Sequence, residues 1–211
     1  MADLQKIHDA IVKGDAKTAT AKVDEALSEG RDPLDIVNNY MIPAMDEVGR
    51  RFEANEYFVP ELLIAGRAMK LSLEKIKPRL ASQGVEPKGR VVIGTVKGDL
   101  HDIGKNLVGS LLEGGGFEVT DLGVDVSPEN FAKAAQEKNA SIVALSALLT
   151  TTMPSMRTTI EALRSAGLRD QVKVMIGGAA VTQDFAKEIG ADGYSDNAAG
   201  AVKLARQLVE A

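Results

Sequence analysis

Apolar residues recur at helical spacing through the first part of the chain. Leu4, Ile7 and Ile11 share one face, Gly14-Asp15 breaks it, and a second helix with Val23, Ala26 and Leu27 inward ends at Gly30. Asp32-Pro33 supplies a cap residue followed by proline at the first helical position. Leu34, Val37, Met41, Met45 and Val48 then share a face, with a kink predicted at Pro43. The connection FEANEYFVPE leads to a fourth helix carrying Leu62, Ala65, Met69, Leu73 and Ile76 inward. Four helices joined by short loops predict an antiparallel bundle, in which Met41, Met45 and Met69 are core packing. The pattern lapses in PRLASQGVEPKG, residues 78–89, which reads as a linker.

Beyond the linker the period changes. Short apolar runs at Val91–Val96, Phe117–Leu122, Ser141–Ser146 and Val172–Ile176 are each followed by a helical stretch, with a fifth, weaker strand at Gly193–Ser195. Strands alternating with helices predict right-handed βαβ units and a parallel sheet. The expected fold class is α/β: an N-terminal four-helix bundle cap over 1–77, a linker or hinge over 78–89, and a C-terminal flavodoxin-like, Rossmann-like, doubly wound five-stranded sheet over 90–211. Ligands of such sheets bind outside the carboxyl ends of the strands. Strand one exits into KGDLHDIGK, strand three into SALLTTTMP and strand four into GGAAV, so three chemically distinctive exits converge on one edge.

Composition narrows the function. A net charge of -5 without a long basic run argues against nucleic acid as a partner. With no cysteine, thiolate metal sites, iron–sulfur clusters and disulfides are excluded. MADLQKIHDAIVKGD lacks the apolar core of a signal peptide, and no run approaches the roughly 20 apolar residues of a membrane span. A cytoplasmic protein with no membrane partner is expected. Tryptophan is absent and aromatics are 4%, so a large ligand must be held by small residues, aliphatics and backbone.

The chain holds two histidines. His8 reads as a surface residue of the first helix. His101 lies between Asp99 and Asp102 on a loop bracketed by Gly98 and Gly104. A metal-ligating histidine usually donates its other ring N–H to a carboxylate, which fixes its tautomer. One histidine cannot build a metal site alone, so a metal here would arrive already ligated inside a cofactor, with His101 in one axial place. The same loop differs from a P-loop: five residues separate Gly98 from Gly104 instead of four, and Asn106 stands where Ser or Thr is required. A phosphate-receiver domain needs carboxylates at the end of the first strand, and VVIGTV brings none. Ser146, Thr150, Thr151 and Thr152 form a hydroxyl-rich exit whose simplest role is helix capping before Pro154. Gly177-Gly178 lets a backbone approach something closely, and DGYSDNAAGAV adds small residues beside the fifth strand.

Together these parts resemble the corrinoid proteins of methyltransferase systems and the cobalamin-binding module of cobalamin-dependent methionine synthase. The pattern Asp-x-His-x-x-Gly is met by Asp99, His101 and Gly104, the Ser-x-Leu element by Ser146-Ala147-Leu148, and the Gly-Gly element by Gly177-Gly178, behind a helical cap. The resemblance implies cobalamin bound base-off and His-on, with His101 as lower axial cobalt ligand and Asp99 on its other nitrogen. It implies that Thr152 extends that relay and that Ser146 and Thr150 contact the buried nucleotide tail. Gly98, Leu100, Asp102, Ile103, Gly104, Leu148, Gly177, Gly178 and Ala198 would line the cofactor. Asp102 would also serve as a helix cap. Phe52 and Val59 match two apolar residues that cover the methyl group, Val59 being smaller than the family's common leucine.

The function so implied is a methyl carrier, a subunit without a complete active site of its own. It would accept a methyl group on cobalt(I) from a substrate-specific methyltransferase. A second methyltransferase would pass that group to tetrahydrofolate or a thiol coenzyme, and a corrinoid reductive activase is a further implied partner. The rival from another class is a cobalamin-dependent sensor, but the cap consumes the residues before the linker and lacks the tryptophan of light-sensing caps. A carbon-skeleton mutase subunit usually lacks this cap, and a flavodoxin-like electron carrier leaves His101 unexplained.

Overall fold

The structure is a computed structural model that describes residues 3–82 and 86–210. Two compact units divide it: Met1–Pro87 with Glu113–Gly116, and Lys88–Leu112 with Phe117–Ala211. Among the described residues no helix is long and apolar enough to cross a membrane.

The helical unit contains α1 (Gln5–Val12), α2 (Ala16–Ser28), α3 (Pro33–Ile36), α4 (Ile42–Glu53) and α5 (Val59–Ser82). The breaks fall where caps dictate. The Asp15 carboxylate accepts the Thr18 amide at 3.0 Å, and Asp32 accepts the Leu34 amide at 3.2 Å just before Pro33. Ile7, Ile11, Val23, Met41 and Met69 are fully buried, and α2 packs on α1 and α5. Just before Pro43 the helix changes its hydrogen-bond register. The chain widens into a π-helical turn over Val37–Met41, with the Ile42 amide donating to Val37 five residues back. At the far end the helix passes through Pro78 and runs to Ser82, past the expected boundary at residue 77. Pro78 is exposed, so water can satisfy the carbonyl it orphans. The centre of the expected linker, 83–85, lies outside the described residues.

A charged cluster braces the loop after α4. Glu47 accepts from Arg50 Nε at 2.8 Å and Arg51 Nε at 2.7 Å, and these two guanidinium groups hold its carboxyl down to about 2. Arg51 lies 5.2 Å from the Tyr57 ring centre, and the Tyr57 hydroxyl donates to the Val12 carbonyl at 3.1 Å.

In the second unit β1 (Arg90–Thr95), β2 (Glu118–Asp121), β3 (Ile142–Ser146), β4 (Lys173–Gly177) and β5 (Gly193–Ser195) form one parallel sheet in the order β2-β1-β3-β4-β5. The connections are α6 (Ile103–Gly114), α7 (Pro128–Glu137), α8 (Pro154–Ser165) and α9 (Gln183–Ile189), with α10 (Ala198–Glu210) last. Each expected strand lies within a residue or two of its observed bounds. The reason is physical: a parallel sheet covered on both faces needs unbroken apolar runs. Val92, Val143, Leu145, Val174 and Ile176 face the core that holds α7, α8 and α9. The intervening Val91, Ile93, Ile142, Ala144 and Met175 are equally buried on the other face. The strand order reverses between β1 and β3, where Thr95 pairs with Ser146. That is the topological switch point, where the loops leaving two neighbouring strands diverge and leave a crevice.

Candidate functional site

Asp99 is the centre of the switch point. Its side chain is fully buried, yet every donor around it points at the carboxylate. Oδ1 accepts His101 Nδ1 at 2.7 Å and the His101 amide at 3.1 Å. Oδ2 accepts the Leu148 amide at 2.8 Å, the Leu149 amide at 3.4 Å and the Thr152 hydroxyl at 2.7 Å. Burial alone would push this carboxyl up. The hydrogen bonds from Thr152, His101 and Leu148 outweigh burial and hold it well below the usual carboxylate range. An ionised carboxylate only accepts, so Nδ1 of His101 carries the proton and Nε2 carries the free lone pair.

Two loops meet on that one side chain. The β1–α6 loop contributes Gly98 to Asp102, and the β3–α8 loop contributes Leu148 to Thr152. Thr151 and Thr152 are the candidate caps for α8, but the helix starts after Met153 without a side-chain cap. The Thr152 hydroxyl has one proton and two acceptors in reach, Asp99 and the Leu149 carbonyl at 2.9 Å. The shorter, charged partner takes it. Asp102 precedes α6, and its carboxylate receives the Asn106 side-chain amide at 3.1 Å.

The His101 side chain is 52% exposed, and Nε2 has no hydrogen-bond partner among the described residues. Around it are apolar side chains that a folded protein ordinarily hides. Leu100 is 71% exposed and Ile103 75%, with Leu148 and Leu149 also exposed at the next strand exit. A nitrogen lone pair rising from an apolar rim suits a broad, flat ligand with an electrophilic centre. Among the described residues no group of three His, Cys, Asp or Glu could hold a bare metal ion. A metal at Nε2 would therefore have to bring its other ligands with it, and the donor set fits a metal-bearing macrocycle.

The remaining exits continue along the edge. Ser146 pairs with Gly177 and Gly177 with Ser195, which brings the ends of β3, β4 and β5 together. Thr150 is exposed beside them, and Ala198 opens α10 as a buried small residue. Gly178, at φ +133°, has a specific neighbour: a Cβ there would lie 1.9 Å from the Ala147 carbonyl oxygen. The close approach that the glycine pair permits is thus to the protein's own β3 exit. Gly104 lies in the first turn of α6 with open space around it. Phe52, half-buried near the end of α4, and Val59, 40% exposed at the start of α5, belong to the helical unit.

Several contributors carry no signal in the residue pattern. The Leu148 and Leu149 amides act through backbone, which any residue type supplies. Thr95 is fully buried and donates its hydroxyl to the His101 carbonyl at 2.8 Å. A threonine inside an apolar strand is a signal that could have found it.

Comparison with known proteins completes the description. Residues 89–203 match a family model described as a B12 binding domain, and residues 3–77 match a second with the same description. The chain is 44% identical over 208 residues to trimethylamine corrinoid protein 1 of Methanosarcina acetivorans, covering 98% of this chain and 96% of the relative. A crystal structure of a cobalamin-binding protein from Desulfitobacterium hafniense matches with a TM-score of 0.82 at 36% identity, covering 99% of each chain. The methanol:cobalamin methyltransferase complex of Methanosarcina barkeri matches with a TM-score of 0.87 at 31% identity, covering 98% of this chain and 79% of that one.

Proposed function

Because the chain belongs to the B12-binding corrinoid proteins of methyltransferase systems, we propose that it carries methyl groups between two catalysts with His101 as the lower axial ligand of its cobalamin. The observation that carries this reading is the Asp99–His101 pair, with Nε2 free above an apolar rim at the sheet's switch point. When bound, cobalamin supplies the cobalt that takes up and releases the methyl group, chemistry that no side chain here can perform.

The residues supply orientation. Asp99 holds Nδ1–H and leaves the Nε2 lone pair as the ligating group. Thr152 and the Leu148 amide fix Asp99, so the imidazole is aimed before any ligand arrives. Leu100, Ile103 and Leu148, exposed around His101, would cover the cofactor and exclude water beside the ligating nitrogen. Ser146, Thr150, Gly177 and Ala198, at the exits of the strands, would accommodate the cofactor's nucleotide tail, with Gly178 keeping the β3 and β4 exits together. The family resemblance implies that Phe52 and Val59 would be the residues that shield the methyl group.

The donor partner is a substrate-specific methyltransferase for a small methylated compound, the class to which the trimethylamine and dimethylamine of the relatives' names belong. A second methyltransferase takes the methyl group onward to tetrahydrofolate or a thiol coenzyme, and a reductive activase restores the cofactor. We further propose that the 78–89 segment acts as a hinge between the two units, so that both partners can reach the cofactor. Cross-linking the two units should block methyl transfer while leaving cobalamin bound, and full activity in the locked protein would exclude the hinge.

The first test is the absorption spectrum of protein loaded with hydroxocobalamin and desalted, wild type beside His101→Ala. Retained corrinoid with a spectrum that changes in the variant is expected. Folded wild-type protein that retains no corrinoid would overturn the carrier reading, and identical spectra would remove His101 from the cobalt.

A further inference from the structure

The loop that bears Asp99 and His101 is tied down along most of its length. The Asp99 amide donates to the Val96 carbonyl at 3.1 Å, and the Ser155 hydroxyl donates to the Lys97 carbonyl at 3.0 Å. Thr95 holds the His101 carbonyl from below. The Gly98–Asp99 pair is bracketed, on the peptide groups either side of it, by a residue from a different connection. The Gly98 amide donates to Asp125 Oδ1 at 2.7 Å, and the Asp125 amide donates to the Asp99 carbonyl at 3.0 Å. Asp125 lies on the β2–α7 loop, beside the isolated parallel bridge between Val96 and Val126.

Asp125 makes this double contact at φ +52°. L-residues avoid that region because Cβ crowds the following carbonyl, and aspartate and asparagine tolerate it better than most. The side chain is exposed, so no packing in the core demands it there. It also forms no ion pair among the described residues. Glycine would adopt the same backbone without strain. What aspartate supplies and glycine lacks is the acceptor for Gly98, itself at φ +86°. Strain kept on an exposed loop, compensated by two bonds to the segment beside a functional pair, marks a positional task.

We propose that Asp125 is a positioning residue that clamps the two-residue Gly98–Asp99 segment at both ends, through the Gly98 amide and the Asp99 carbonyl, and thereby sets the direction of the Asp99 carboxylate and of His101 Nε2. The assignment rests on His101 as lower ligand for its consequence at cobalt, but its geometry exists in the protein without cofactor, so two measurements separate the two ideas.

The first uses cofactor-free protein and three variants: Asp125→Asn, Asp125→Ala and Asp125→Gly. The last also relieves the strained backbone, so it folds even if alanine does not. In the alanine and glycine variants the Gly98 amide should exchange with solvent up to about tenfold faster, as expected for one lost hydrogen bond. The nitrogen resonances of the His101 ring should move with it, a change that loss of general stability does not produce. Asparagine, which tolerates the same φ and keeps an oxygen acceptor, should restore both signals. Unchanged His101 ring signals in the folded alanine and glycine variants would overturn the proposal.

The second uses protein loaded with hydroxocobalamin. The alanine and glycine spectra should fall between those of wild type and His101→Ala, with asparagine close to wild type. Alanine and glycine spectra identical to wild type, where wild type and His101→Ala differ, would also overturn it. If wild type and His101→Ala do not differ, the lower-ligand reading fails instead, and the ring signals of the cofactor-free protein still decide the role of Asp125.

Discussion

Asp99 has no contact with water and still keeps its charge. Its donors do what hydration would otherwise do, and removing any of them exposes the cost. Asp99→Asn keeps the shape but turns an NH2 group toward the Leu148 amide and the Thr152 hydroxyl. The hydroxyl can rotate to the Leu149 carbonyl, but the amide cannot, so the variant should lose about 2 kcal/mol in urea unfolding of the cofactor-free protein. The loss depends on pH with a definite sign. A carboxyl held below its ordinary 3.8 contributes fully above that value, and the contribution is lost as pH falls from there toward the depressed folded value. The gap between wild type and Asp99→Asn should therefore be flat from pH 7 down to about 4 and narrow below it; a constant gap at pH 3 would mean that Asp99 is not the titrating group. Thr152→Val, which removes one donor of similar shape, should cost about 1 kcal/mol by the same measurement. A sequence names Asp99, His101 and Thr152 because those side chains differ from their neighbours in chemistry. It is silent about the Leu148 amide, and about Asp125, whose role depends on a backbone angle that the letter does not encode.

At the scale of elements, legibility followed burial. The five strands were readable because both faces of the sheet are covered, which forces continuous apolar runs such as Val91–Val96. Pro43 and Pro78 mark one limit of the sequence: proline forbids a backbone hydrogen bond but does not dictate how the chain responds. Within the chain it responded with a π turn, and near an exposed helix end by continuing to Ser82. The glycine pair after β4 was legible as a place of close approach, but not as an approach to Ala147. Gly178→Ala should force the β3 and β4 exits apart and cost about 3 kcal/mol or more in thermal or urea unfolding. Gly30→Ala provides the control, since it also has a positive φ, +78°, but nothing within 4 Å. It should cost only the backbone strain, about 1 kcal/mol. Equal losses in the two variants would show that the contact with Ala147 carries no weight.

The whole molecule is two units, each with a core and an anchored carboxylate of its own, Glu47 in the first and Asp99 in the second. Calorimetry of the cofactor-free chain should resolve two transitions. Hydroxocobalamin at a hundredfold excess over its dissociation constant should stabilise the one that contains Lys88–Leu112 and Phe117–Ala211 by about 2.7 kcal/mol. The same addition to His101→Ala should raise that transition less, and an equal shift in both proteins would place the binding energy elsewhere than at cobalt. The stitching of two loops onto Asp99 has a further consequence, in time. Its bonds to Leu148, Leu149 and Thr152 span 49, 50 and 53 residues of chain. Contacts that distant form only after β1 and β3 have found each other, a slow class of event because the intervening loop must first be closed. A growing polypeptide that has left the ribosome only as far as α7 already owns its histidine and aspartate but cannot aim them, and the aiming of His101 during refolding can run no faster than that one strand pairing.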